Sequence, residues 1–122
     1  MVKKYNKGAR AERELAKFLQ KHDFSTIRAA GSGSGISTPD LVAIKKGRVL
    51  AFEIKSWSTK PRLKKEELKD FKRWCENAGA MGFFTWRRKN NDWMFLNIKD
   101  YGKNDIKKDG ISLDDLMFVI NV

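Results

Sequence analysis

Apolar residues recur at intervals of three and four near the start of the chain, where Glu12 is followed on one face by Leu15, Ala16 and Leu19. That spacing predicts a helix, capped by Asn6 and ending near Lys21. "FSTIRAA", Phe24 to Ala30, reads as a strand. "GSGSGIST", Gly31 to Thr38, reads as a loop whose glycines free the backbone. A hairpin follows, with strands Leu41 to Ile44 and Val49 to Ile54 around a turn through Lys45 to Arg48. Leu68, Phe71, Cys75 and Ala78 restore the helical interval, and Gly79 is its stop. "AMGFFTWRR" and "DWMFLNIKD" are two more strands, joined by "KNN". "SLDDLMFVIN" opens a last helix, with Ser112 at the N-cap and Asp115 three residues on.

The order is helix, three strands, helix, two strands, helix. It predicts an α/β fold with a mixed central β-sheet of about five strands flanked by α-helices. The chain has 122 residues, no internal repeat and no Pro/Gly-rich linker, which suits a single domain over residues 1–122. The aromatic residues Phe83, Phe84, Trp86, Trp93 and Phe95 are assigned to the core rather than to base stacking.

Charge adds a partner to this picture. Lys and Arg number 26 against 15 Asp and Glu, a formal net charge of +11. A folded basic domain of this kind points to a polyanion, nucleic acid first. A membrane surface is the rival, but the chain has no long basic amphipathic helix and no apolar run that could span a bilayer. Cys75 is the only cysteine and His22 the only histidine, so an intramolecular disulfide and a Cys/His zinc set are both excluded. A cytoplasmic location is expected. Basic residues available for phosphate contacts are Lys3, Lys4, Lys7, Arg10, Arg13, Arg28, Lys60, Arg62, Lys64 and Lys65.

The hairpin raises the chemical question. If Lys46 and Gly47 are the loop residues, counting back from a Lys45–Arg48 pair sets Asp40 opposite Glu53. Cross-strand neighbours stand about 4.5–5.5 Å apart at Cβ, so two acids there repel unless a cation lies between them. Glu53 and Lys55 share a face, with Phe52 and Ile54 on the other. Glu12 lies on the apolar stripe of the first helix, where an unpaired carboxylate is costly. Carboxylates without histidine suit a hard ion, Mg²⁺ with Mn²⁺ as a substitute, and no small-molecule cofactor is implied. Each residue also has a structural reading: Asp40 as a turn residue after Pro39, Glu53 and Lys55 as a surface ladder, Glu12 as the partner of an arginine.

Asp40, Glu53 and Lys55 carry the signature of the PD-(D/E)xK nuclease superfamily, which has a restriction-endonuclease-like fold. "KGARAERELAKFL", "IRAAGSGS", "PDLVAI" and "FEIKS" together resemble the archaeal Holliday junction resolvases over about residues 7–56. The resemblance implies a homodimer that binds four-way junction DNA and makes paired, Mg²⁺-dependent cuts. It assigns metal binding to Glu12, Asp40, Glu53 and the backbone carbonyl of Ile54, and catalysis to those acids with Lys55. It assigns Arg13 and Arg28 to DNA and the loop serine to Ser32, with Ser34 as the alternative. Other nucleases of the superfamily, of restriction or repair type, and a non-catalytic basic DNA-binding protein are the competing readings. The last helix, with Leu113, Leu116, Met117, Phe118 and Ile120, is expected to carry part of the dimer patch.

Overall fold

The first helix, α1, spans Lys3–Lys21 and buries Ala11, Leu15, Ala16 and Leu19 along one stripe. In this computed structural model the described residues are 3–29, 38–55, 64–87, 92–101 and 110–120, with side chains from residue 10 onward. Asn6 does not cap α1, which begins three residues earlier. A run of residues that all tolerate helix, "KKYN", carries no stop that would hold the boundary at Asn6.

Among the described residues six strands form one sheet in chain order: β1 Ser25–Arg28, β2 Leu41–Lys45, β3 Arg48–Lys55, β4 Met81–Arg87, β5 Trp93–Asn97 and β6 Ile111–Ser112. Among the described strands only β3 and β4 pair in parallel. The helix α2, Lys65–Ala78, lies between them in sequence, as a parallel pair requires. Gly79 follows it at φ 67°, and the Gly79 and Ala80 N–H groups return to Glu76 and Cys75 carbonyls. The strand β6 has two residues, too short to show an alternating pattern, and escapes a sequence reading for that reason. It leads into α3, Leu113–Ile120, where Ser112 Oγ accepts the Asp115 N–H at 3.2 Å.

The hairpin register is the expected one. Lys45 pairs with Arg48 and Leu41 with Phe52. Lys46 and Gly47 both have positive φ, 49° and 85°, the requirement of a type I′ turn.

Helices cover both faces. On one, Ala11, Leu15 and Leu19 of α1 and Leu116, Met117 and Ile120 of α3 pack on Leu50, Phe52, Ile54, Phe83 and Phe95. Phe52 stacks on Phe83 at 5.7 Å and meets Phe95 edge-on at 6.0 Å. Each such ring contributes about 1.5–3 kcal/mol on burial, so β3 is clamped in the middle of the sheet. On the other face, Phe71 and Cys75 of α2 pack on Ala51 and Phe84. The core assignment of the aromatic residues holds, with Trp93 partly buried. The last helix is divided: Leu116, Met117 and Ile120 close the core, while Phe118 is 77% exposed and Val119 45%.

The α2 face is close-packed because two small residues, Ala51 and Gly82, sit side by side under the helix. A Cβ on Gly82 would come within 2.6 Å of Cys75 Sγ and 3.2 Å of Ile98 and Phe71 carbons. We therefore expect Gly82→Ala to cost ~1–3 kcal/mol of stability by overpacking. Urea titration followed by circular dichroism measures it; an unchanged midpoint would show that α2 can lift off the sheet at no cost.

Candidate active site

The site forms where β2 and β3 run out of ladder. Asp40 lies in the bend before β2, so it is not a strand partner of Glu53 as the register alone implies. Its side chain replaces the missing pairing: Asp40 Oδ2 accepts the Ile54 N–H at 2.8 Å. The Asp40 N–H donates to the Phe52 carbonyl at 3.0 Å, and its own carbonyl accepts the Ala29 N–H at 3.1 Å. Asp40 is thus tied to both neighbouring strands, with its carboxylate held against β3.

Side chains alternate along β3. Phe52 and Ile54 enter the core under α1. Glu53 and Lys55 therefore face α2, where Lys55 Nζ meets Glu67 Oε2 at 3.4 Å. Glu12 approaches from the α1 side and pairs with Arg28, Oε1 to Nη2, at 3.3 Å. Among the described residues no three His, Cys, Asp or Glu side chains lie close enough together to hold one ion. The structure joins Asp40, Glu53 and Lys55 with Glu67, and Glu12, paired with Arg28, feels the charge of Asp40 and acts on Glu53.

Electrostatics link the two sides. Burial pushes the Glu53 carboxyl up to about 8, aided by Asp40 and opposed by Lys55. Asp40 is raised by burial too, against the Ile54 N–H and Lys55, which favour its charged form. Glu12 is raised by burial and by Asp40, with Arg28 opposing. Glu67 differs: burial raises it, but the Lys64 N–H and Lys55 outweigh burial and hold it below its ordinary value. Two carboxylates crowded in a half-buried site, with oxygen donors only, are chemically suited to a hard divalent cation.

Arg10, Arg13, Arg28, Lys64 and Lys65 are exposed. Lys3, Lys4 and Lys7 fall in the first turns of α1, but their side chains are outside the described set. Ser32, Ser34, Lys60 and Arg62 lie outside the described residues. Sequence reasoning missed Glu67. It holds the third position of α2 and accepts the Lys64 N–H at 3.1 Å, half of a capping box. A lysine in place of the usual Ser or Thr at the N-cap hid that signal. Glu14, which had no expected partner, forms an ion pair with Arg87.

A mixed sheet covered by helices on both faces, with acids and a lysine at the open end of a central hairpin, is a restriction-endonuclease-like nuclease fold. The chain belongs to the archaeal Holliday junction resolvase family, Hjc, whose family model matches residues 3–121. Among its relatives, the crossover junction endodeoxyribonuclease Hjc of Methanocaldococcus jannaschii is 38% identical over 108 residues, covering 85% of this chain and 77% of that one. The enzyme of the same name from Archaeoglobus fulgidus is 32% identical over 96 residues, covering 77% of this chain and 71% of that one. The solved structure of Archaeoglobus fulgidus Hjc, a Holliday junction resolvase from an archaeal hyperthermophile, superposes with a TM-score of 0.70 at 26% identity, covering 93% of each chain. Among the described residues no helix is long and apolar enough to cross a membrane.

The raised carboxyls set a pH dependence of stability in the metal-free protein. Glu53 holds its proton to about pH 8 when folded and to its ordinary 4.5 when unfolded. Between those values the folded state binds more protons, so stability falls as pH rises. Asp40 and Glu12 act in the same direction and Glu67 in the opposite one. Charging Glu53 is worth roughly 2–4 kcal/mol at about 1.4 kcal/mol per pH unit. Denaturant unfolding with chelator at pH 5 and pH 8 should show that fall, and Glu53→Gln should flatten it. An equal slope in the variant would mean that Glu53 ionises normally.

Proposed function

We propose that this chain resolves four-way DNA junctions as a Mg²⁺-dependent homodimer, each copy hydrolysing one phosphodiester. Family membership makes it a junction-resolving endodeoxyribonuclease; the proposal concerns how the residues divide the work. The observation that carries it is the Asp40–Glu53 pair, two half-buried and mutually repelling carboxylates beside Lys55 at the end of one hairpin.

Asp40 and Glu53, with the Ile54 backbone carbonyl, would hold the ion. Mg²⁺ is commonly bound by one or two carboxylates and keeps several waters, so this donor set is sufficient. Glu12 completes the acidic surround while sharing its charge with Arg28. When bound, Mg²⁺ (or Mn²⁺) lowers the pKa of a water and offsets phosphate charge. Lys55 stabilises the negative charge that builds on the phosphate oxygens in the transition state. Water attack at phosphorus breaks the bond to the 3′ oxygen and leaves a 5′-phosphate and a 3′-hydroxyl. Arg10, Arg13, Arg28, Lys64 and Lys65 bind phosphates, and the loop serine, Ser32 or Ser34, meets the scissile strand. Lys3, Lys4, Lys7, Lys60 and Arg62 are further candidates for phosphate contacts.

Paired cuts need two sites at a fixed separation, which a two-fold dimer supplies with a self-complementary patch. Phe118 and Val119, the exposed apolar residues of α3, are the part of that helix available for it.

The decisive experiment is cleavage of an end-labelled four-way junction with and without Mg²⁺. Wild type should cut only with metal. Asp40→Asn and Glu53→Gln should abolish cleavage yet bind the junction as well or better, because each removes negative charge near phosphates. A variant that cuts at the normal rate removes its residue from the site. Mixed dimers of wild-type and Glu53→Gln chains should nick one strand and fail at the second; paired cuts by a monomer would end the dimer mechanism. Binding should weaken with salt as counterions are released: six to ten phosphate contacts would lose roughly 10³–10⁵ in affinity between 50 and 200 mM. A flat response would contradict the electrostatic reading of the charge.

A further inference from the structure

Glu67 uses both carboxylate oxygens. Oε1 accepts the Lys64 N–H at 3.1 Å, and Oε2 meets Lys55 Nζ at 3.4 Å. The two contacts serve different ends. The first satisfies a backbone donor that α2 leaves open at its start. The second leaves the helix and reaches the end of β3, contributing nothing to the cap. A glutamine would complete the same cap. It would also spare Asp40 and Glu53 the field of another negative charge, which both of them feel. Stability does not account for the acid either. The paired side chains are 27% and 38% exposed, and ion pairs so open to water contribute little to folding. What the charge does supply is a fixed place for an ammonium at the end of a long, flexible stem.

We propose that Glu67 is a positioning residue for Lys55: its carboxylate holds the ammonium at the end of β3, aligned for the scissile phosphate. This rests on the role given above to Lys55. Lys55 comes from a strand clamped by core on both faces, but its four-carbon side chain is not clamped. Glu67 comes from a helix start, fixed through its own backbone contact to Lys64. The ion pair therefore ties a mobile catalytic group to a rigid element. It also connects the site to residues 64 and 65, the basic start of α2.

Glu67→Gln separates the two contacts, since the amide oxygen can still accept the Lys64 N–H while the charge facing Lys55 is lost. With saturating enzyme and Mg²⁺, single-turnover cleavage of a labelled four-way junction should slow roughly 10- to 100-fold, the penalty of misplacing a reacting group. Junction affinity by gel shift without metal, and the melting temperature, should stay at wild-type values. Glu67→Ala removes the cap as well. It should lower the melting temperature and slow cleavage no further than Glu67→Gln. In a Lys55→Ala background, Glu67→Gln should have no added effect on the residual rate, because two residues acting through one contact are not additive. Wild-type cleavage by Glu67→Gln, with Lys55→Ala impaired, would overturn this inference alone. Wild-type cleavage by Lys55→Ala would overturn the role of Lys55 and this inference with it. Independent, multiplying losses would mean that Glu67 acts on the site without Lys55.

Discussion

Asp40 is held at three points, by the Phe52 carbonyl, the Ala29 N–H and the Ile54 N–H. These bonds do what the next rung of a β ladder would do, but the last of them uses a carboxylate. The strand β3 is itself fixed by Leu50, Phe52 and Ile54 on one side and Ala51 on the other. The acid cannot withdraw from Glu53 unless the ladder end opens or a core residue moves. A repulsive pair that would separate on a flexible loop is kept together by backbone hydrogen bonds and packing.

That constraint explains the electrostatics. Burial and proximity push the carboxyls of Glu12, Asp40 and Glu53 upward, and only partial relief comes from Lys55, Arg28 and the Ile54 N–H. A fold optimised for stability alone would place apolar or neutral residues there. Active sites are where local rules are broken and the surrounding core absorbs the cost. The chain's excess of basic residues lies in a different part of the ledger: it favours a polyanion but does not neutralise two acids at the end of a sheet, since exposed cations are screened by water and salt.

The helices and strands were largely legible. Leu15, Ala16 and Leu19 keep a helical interval, and Leu68, Phe71 and Cys75 do so again before Gly79. Lys46-Gly47 supports the turn that sets the hairpin register. What failed were features with little local signal. Asn6 lies inside α1, because a favourable cap residue cannot stop a helix whose preceding residues also tolerate it. The strand β6 is two residues long and exists because β5 offers an edge. The apolar residues of α3 exceed what one side needs, and only packing decides that Leu116, Met117 and Ile120 turn inward while Phe118 and Val119 stay outside.

By itself the sequence determined the identity of the chemical groups, the α/β class and the approach of Asp40 to Glu53. Periodicity and turn type are local properties, and a hairpin converts them directly into contacts. Only tertiary structure decided which acids share a face. Glu12 comes from α1 and Glu53 from β3, and only the packing of α1 on the sheet brings the first carboxylate close enough to act on the second. Glu67 joins Lys55 across the crossover between β3 and β4, an association that depends on how α2 docks rather than on any repeat in the chain. Long-range contacts of that kind follow from burying Phe71 and Cys75 against Ala51, a fit of volumes that no one-dimensional pattern records.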